Sequence, residues 1–95
     1  MVDTAQRKLE EGMALEQEGQ LDEAMKRYDE AIALQPDLAR AHFNRGTVLL
    51  DRGEAQPALD AFAIALSFKP DSVGTLYNIG NAHLILDKVE DSVIA

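Results

Sequence analysis

The stretch that decides the fold is AMKRYDEAIALQPD, residues 24–37, because it returns thirty-four residues later as ALDAFAIALSFKPD, residues 58–71. Small residues occupy the same two places in both copies, an aromatic residue lies between them, and each copy ends in Pro-Asp. In the first copy these residues are Ala24, Ala31 and Tyr28. Two similar segments one fixed period apart are typical of a repeat architecture.

Outward from this stretch, the spacing of apolar residues predicts a series of helices joined by short loops, so that consecutive helices are antiparallel neighbours. The predicted helices cover residues 4–18, 21–34, 38–52, 54–68 and 72–86. Gly19 and Gly53 are expected to end the first helix of each pair, because glycine readily adopts the left-handed conformation found just past a helix terminus. Asp37 and Asp71 are expected to cap the third and fifth helices. Asp87 occupies the place of these glycines in the third pair, where a sixth helix is expected to begin.

The residues at these positions resemble the tetratricopeptide-repeat (TPR) family pattern of small, aromatic and proline residues. The matching residues are Gly12, Leu15, Ala24, Tyr28, Ala31 and Pro36 in the first repeat, Gly46, Leu49, Ala58, Phe62, Ala65 and Pro70 in the second, and Leu76, Ile79, Gly80, His83 and Ser92 in the third. The resemblance implies an all-α fold, a right-handed solenoid of antiparallel helical hairpins. It divides a single domain, residues 1–95, into repeats 5–38 and 39–72 and a partial repeat 73–95. Since the third repeat is incomplete, we expect the chain to be a fragment of a larger protein.

Small residues are predicted to bring the two helices of each hairpin close together. Gly12 and Gly46 are expected to face Ala24 and Ala58, because only small side chains allow helix axes to approach to about 8–10 Å. The aromatic residue of each second helix is expected to fill the space between hairpins.

The composition argues against several classes of partner. The net charge is −8, and residues 1–38 hold ten acidic and four basic residues, so nucleic acid and anionic membranes are not expected to bind. No apolar run approaches the ~20 residues of a membrane span, and the N-terminal residues do not form a signal peptide. With no cysteine as well, we expect a cytoplasmic protein.

Catalytic patterns are missing from the sequence. His42 and His83 fall on different predicted helices, with no carboxylate or cysteine at the spacing of metal ligands. The glycines follow the repeat and do not form a phosphate-binding loop, and no nucleophile has a base beside it. We therefore expect a protein that is not an enzyme and that holds neither metal nor cofactor.

In the TPR family, the first helix of each repeat lines a concave groove, and the resemblance therefore implies a peptide-binding site there. The candidate binding residues are Leu9, Met13, Arg40, Phe43, Asn44, Thr47, Tyr77, Asn78 and Asn81. Asn44 and Asn78 repeat beside Phe43 and Tyr77, and an amide both donates to and accepts from a peptide backbone. We expect this groove to bind a peptide or an extended segment of a partner protein. The alternative is that asparagine is simply common at these positions in the family.

The sequence is also compatible with other functions. A clamp for the C-terminal carboxylate of chaperones is disfavoured, because Leu9, Met13 and Gly74 replace the polar residues that such a clamp uses. The chain could be the targeting segment of a larger transferase, or a structural spacer. It could also form a homo-oligomer through its C-terminal end, where Leu76, Ile79, Val93 and Ile94 lack a predicted partner helix.

Overall fold

The computed structural model describes the backbone of residues 4–94 and the side chains of residues 4–87. This part of the chain contains five helices and no strand, which confirms the predicted all-α class. The helices are α1 (Ala5–Gln17), α2 (Leu21–Leu34), α3 (Ala39–Asp51), α4 (Ala55–Phe68) and α5 (Val73–Ile94).

The helices form a helical-repeat solenoid. Each helix packs against the next one along the chain, while α3 also touches α1 and α5. The molecule measures 56 × 28 × 18 Å with a radius of gyration of 14.0 Å. A globular domain of this length would have a radius near 13 Å, so the structure is elongated as expected for stacked hairpins. The contacts of α1 and α5 with α3 place these three helices along one side.

Two glycines end helices as predicted. Gly19 follows α1 and Gly53 follows α3, each with a φ of 79°. This left-handed conformation costs an L-residue with a side chain about 1–2 kcal/mol. The amide of the residue after each glycine then bonds a carbonyl of the preceding helix: Gln20 N donates to Leu15 O and Glu54 N to Leu49 O, each at 2.9 Å. These bonds turn the chain into the second helix of the hairpin.

The predicted aspartate caps are wrong. Leu38 is the N-cap of α3 and makes no side-chain capping bond, so Asp37 does not cap this helix. At α5 the Ser72 hydroxyl accepts a hydrogen bond from the backbone N–H of Thr75 at 3.3 Å, one residue after Asp71. Serine can cap this helix because its short side chain reaches the backbone N–H of the third helical residue.

The predicted break at Asp87 is also wrong. Helix α5 runs for 22 residues, from Val73 to Ile94, through this position without interruption. Aspartate lacks the conformational freedom that lets Gly19 and Gly53 take a positive φ. No glycine or proline therefore ends α5 where the earlier first helices end.

The packing inside each hairpin differs from the prediction. A Cβ atom added to Gly12 would lie 2.5 Å from Cε1 of Tyr28, and one added to Gly46 would lie 2.5 Å from Cε1 of Phe62. The glycines therefore meet the aromatic rings of their own hairpins, where facing alanines were expected. Both rings are completely buried. The interior is close-packed because each ring fills the space that its glycine leaves open.

Candidate functional site

The first cleft of the candidate site lies where α3, α4 and α5 meet. It has a volume of about 180 Å³. Its floor includes Phe43, whose ring lies against Gly74, with an added Cβ there only 3.5 Å away. The lining residues are Ala39, Arg40, Phe43, Ala65, Lys69, Ser72, Gly74 and Thr75.

The second cleft, of about 190 Å³, lies between α1 and α3. It is lined by Met13, Glu16, Gln17 and Asn44. Each of the two clefts therefore combines residues of neighbouring helices on the side of the solenoid where α1, α3 and α5 lie. We use the term groove for the two clefts together.

Buried beside the second cleft, Tyr28 interacts with two residues that line it. The Tyr28 hydroxyl donates to Oε1 of Glu16 at 2.6 Å, and the Asn44 side chain lies near enough to influence the pKa of Tyr28. Burial and then the Glu16 carboxylate raise the pKa of the Tyr28 phenol, because both disfavour the charged phenolate. Only 7% of Asn44 is exposed. Asn44 is therefore part of the structural core of the groove as well as its surface.

Phe43 and Arg40 form a pair in the first cleft. The ring centroid of Phe43 lies 6.0 Å from that of Phe62 in a tilted arrangement, and the Arg40 guanidinium carbon lies 5.8 Å from the centroid of Phe43. An arginine over an aromatic face is attracted by the ring's quadrupole. Within residues 4–87, the ring of Phe43 is in contact with Phe62 and not with Tyr77.

Two predicted groove residues are used within the fold. Leu9 is only 2% exposed and belongs to the hydrophobic core with Tyr28 and Val48, so it offers no surface to a ligand. The Thr47 hydroxyl donates to the backbone carbonyl of Asn44 at 2.7 Å. This bond occupies the hydroxyl hydrogen within its own helix.

The predicted residues on α5 lie at the surface. Tyr77 is 70% exposed, whereas Asn78 and Asn81 are half-buried. Asn78 occupies the place of Asn44 one period on, but the counterpart of Tyr28 is Phe62, which has no hydroxyl. Within the described part of the chain, no side chain hydrogen-bonds the amides of Asn78 and Asn81.

Residues 4–87 show no group of three or more histidine and acidic side chains that could hold a metal ion. His42 is packed within the fold: its Nε2 lies 2.9 Å from the carbonyl oxygen of Pro36, and its ring centroid lies 6.0 Å from that of Phe68. None of the described helices is both long enough and apolar enough to span a membrane.

Comparisons with known proteins also indicate a helical-repeat fold. The family model described as TPR repeat matches residues 12–53. A crystal structure of MamA protein superposes with a TM-score of 0.86 at 26% sequence identity, covering 95% of this chain and 49% of that one. The chain is similar to TPR proteins in the sequence of residues 12–53 and in its fold. It spans about half the length of this MamA chain.

Two further TPR structures share the fold. The second TPR of Spaghetti (RPAP3), bound to the HSP90 peptide SRMEEVD, has a TM-score of 0.86 at 20% identity, covering 93% of this chain and 82% of that one. A second MamA crystal structure has a TM-score of 0.82 at 24% identity, covering 97% of this chain and 62% of that one. No curated protein matches the chain in sequence.

The TPR pattern did not reveal every residue of the groove. Lys69 and Ser72 line the first cleft, but both lie in the connection between α4 and α5, and the family pattern places groove residues on the first helix of each repeat. Glu16 and Gln17 fall on such positions and line the second cleft. The sequence holds one indication that Lys69 differs from the scaffold residues. It is charged, whereas the corresponding residue of the first repeat is the neutral Gln35.

Proposed function

We propose that this chain is a protein–protein interaction module whose groove holds an extended segment of a partner protein. The observation that carries the proposal is the pair of half-buried asparagines on α5, Asn78 and Asn81, whose amides the described part of the fold does not use. A half-buried amide gains most from a partner that both donates and accepts, as a peptide backbone does. The exposed ring of Tyr77 beside them supplies apolar surface.

The comparisons support this proposal at the level of the fold. The RPAP3 repeat is a TPR structure with a peptide bound, and its fold matches this chain over most of the length of both. TPR proteins generally serve as scaffolds without catalytic activity, and we infer the same role here. The alternatives of a transferase-targeting segment and a structural spacer stay hypotheses.

The experiment that tests the proposal is selection of random dodecapeptides displayed on phage against the immobilised chain. Peptides enriched over an empty surface are synthesised, and their affinity is measured by fluorescence anisotropy. The proposal predicts that Asn78→Ala combined with Asn81→Ala weakens binding about tenfold, since each lost hydrogen bond contributes about 0.5–1.5 kcal/mol.

The matched control is Gln56→Ala, which removes an exposed amide on α4, away from both clefts. It should leave peptide affinity unchanged, and circular dichroism should show the same helicity for all variants. Failure to enrich any peptide would overturn the proposed function. Unchanged affinity in the Asn78 and Asn81 variant would place the peptide elsewhere on the molecule.

A further inference from the structure

The basic residues of the chain are distributed unevenly between ion pairs and free surface. The chain has nine lysines and arginines, of which Lys88 has no described side chain. Six of the other eight form ion pairs with carboxylates: Arg7, Lys8, Lys26, Arg27, Arg45 and Arg52. Within the described part of the chain, Arg40 and Lys69 are the two that form none. In a protein with a net charge of −8, basic side chains that form no ion pair are unusual.

Both unpaired cations line the same cleft. Arg40 lies in the first turn of α3, and Lys69 directly follows α4, yet both line the first cleft beside Phe43. No carboxylate is among the described residues that line this cleft. The positive potentials of two cations that line one cleft add, and a concave surface with low-dielectric walls concentrates their field. The cleft therefore favours an anionic group more than the rest of this acidic surface does.

The second cleft has the opposite character. Its only charged lining residue within the described part is Glu16, and no basic residue lines it. Acidic residues also dominate the N-terminal part of the chain, residues 1–38. An acidic side chain of a bound segment is therefore repelled at the α1 end of the groove and attracted at the α5 end. Charge alone gives the bound segment a preferred direction.

We propose that the first cleft is a subsite for an Asp or Glu side chain of the partner segment, paired with Arg40 and Lys69. The inference rests on the proposed function, since it names the chemistry of the segment that the groove holds. Phe43, half-buried on the cleft floor beneath Arg40, receives an apolar residue next to the acidic one. Because Lys69 lies in the α4–α5 connection and not on a first helix, the subsite differs from the carboxylate clamp of chaperone-binding repeats.

The test repeats the dodecapeptide selection with three proteins: the wild type, Arg40→Gln with Lys69→Gln, and Arg7→Gln with Lys26→Gln. The third protein is the matched control, because it loses the same charge from side chains that line neither groove cleft. The wild type and the control should enrich peptides with an acidic residue at one fixed place beside an apolar residue. The Arg40 and Lys69 variant should still enrich peptides but lose the acidic preference.

A double-mutant cycle with one enriched peptide measures how strongly its acidic residue interacts with Arg40 and Lys69. Replacing its acidic residue by the corresponding amide should weaken binding to the wild type about five- to tenfold, the range expected for two partly exposed ion pairs. The same replacement should have little effect on binding to the Arg40 and Lys69 variant, and the wild-type affinity should fall as salt screens the pairs.

The outcomes separate the two proposals. If no peptide is enriched by any protein, the proposed function fails and the subsite fails with it. If peptides are enriched without an acidic preference, or if the preference survives in the Arg40 and Lys69 variant, the subsite alone is overturned. Thermal melts by circular dichroism verify that each variant is folded.

Discussion

At the scale of single residues, the contact between a glycine and an aromatic ring sets the distance between the helices of a hairpin. Gly46→Ala should lower the free energy of unfolding by about 1–3 kcal/mol, the usual cost of overpacking, because the new Cβ would lie 2.5 Å from the Phe62 ring. The experiment is urea denaturation followed by circular dichroism.

The matched control for this substitution is Gly80→Ala. Gly80 is the counterpart of Gly46 on α5, but no atom of the described residues lies within 4 Å of its added Cβ. This variant should be stabilised by about 0.5–1 kcal/mol through the better helix propensity of alanine. Equal effects of the two substitutions would contradict the ring contact as the cause.

The buried phenol of Tyr28 makes stability depend on alkaline pH. Its pKa lies above the ordinary value of 10.0, so folding favours the neutral phenol. The resulting stabilisation is complete below pH 10 and is lost as pH rises toward the folded-state pKa. Tyr28→Phe should cost about 1 kcal/mol at neutral pH through the lost hydrogen bond to Glu16, and the difference from the wild type should shrink at pH 11.

Urea denaturation at pH 7 and pH 11 measures both effects. Phenylalanine fits this site sterically, as Phe62 does one period later. Tyr77→Phe is the control, because the Tyr77 side chain is largely exposed, and it should change stability little at pH 7. A Tyr28→Phe variant with the same pH dependence as the wild type would contradict the assignment.

At the scale of elements, the start of α5 depends on Ser72. Ser72→Ala should lower stability by about 1 kcal/mol, because the hydroxyl satisfies the backbone N–H of Thr75. Asp71→Ala tests the cap that the sequence alone suggested and should have a smaller effect. Chemical denaturation of both variants distinguishes the two residues, and a larger loss for the Asp71 variant would contradict the observed cap.

At the scale of the whole molecule, a solenoid is stabilised by contacts between neighbouring helices. Among the described residues, helix α3 is in contact with α1, α2, α4 and α5, whereas α5 contacts α3 and α4. Amide hydrogen exchange should therefore be slower in α3 than in α5, because local opening of α5 breaks fewer contacts. Mass spectrometry of peptides from the two helices measures the difference, and equal protection would indicate that the chain opens only as one unit.

The predicted self-association of the α5 end also belongs to this scale. Leu76 and Leu84 are 52% and 59% exposed on α5, and Gly80 between them has no covering ring. If this surface associates, sedimentation should show a mass that rises with concentration, and Leu76→Lys with Leu84→Lys should abolish the rise. A constant monomer mass for the wild type would contradict the prediction.

The sequence by itself determined the repeat, the first four helices, the start of α5 and the turns after α1 and α3. These features are local: apolar spacing defines a helix face, and Gly19 and Gly53 end helices through their own backbone freedom. It also indicated which helices line the groove, through the resemblance to the TPR family. It did not predict the caps, because Leu38 and Ser72 begin their helices according to the path of the chain between hairpins.

Only the tertiary structure decided which groove residues are available to a ligand. Asn44 and Asn78 are equivalent in the repeat, but Asn44 is buried beside the Tyr28 hydroxyl, whereas Asn78 is half-buried and bonds no side chain within the described residues. Leu9 occupies a groove position in the pattern and is buried in the core. Lys69 and Arg40 are twenty-nine residues apart in sequence and meet in one cleft. Side-chain burial and charge pairing depend on contacts between helices, which the period of the sequence does not encode.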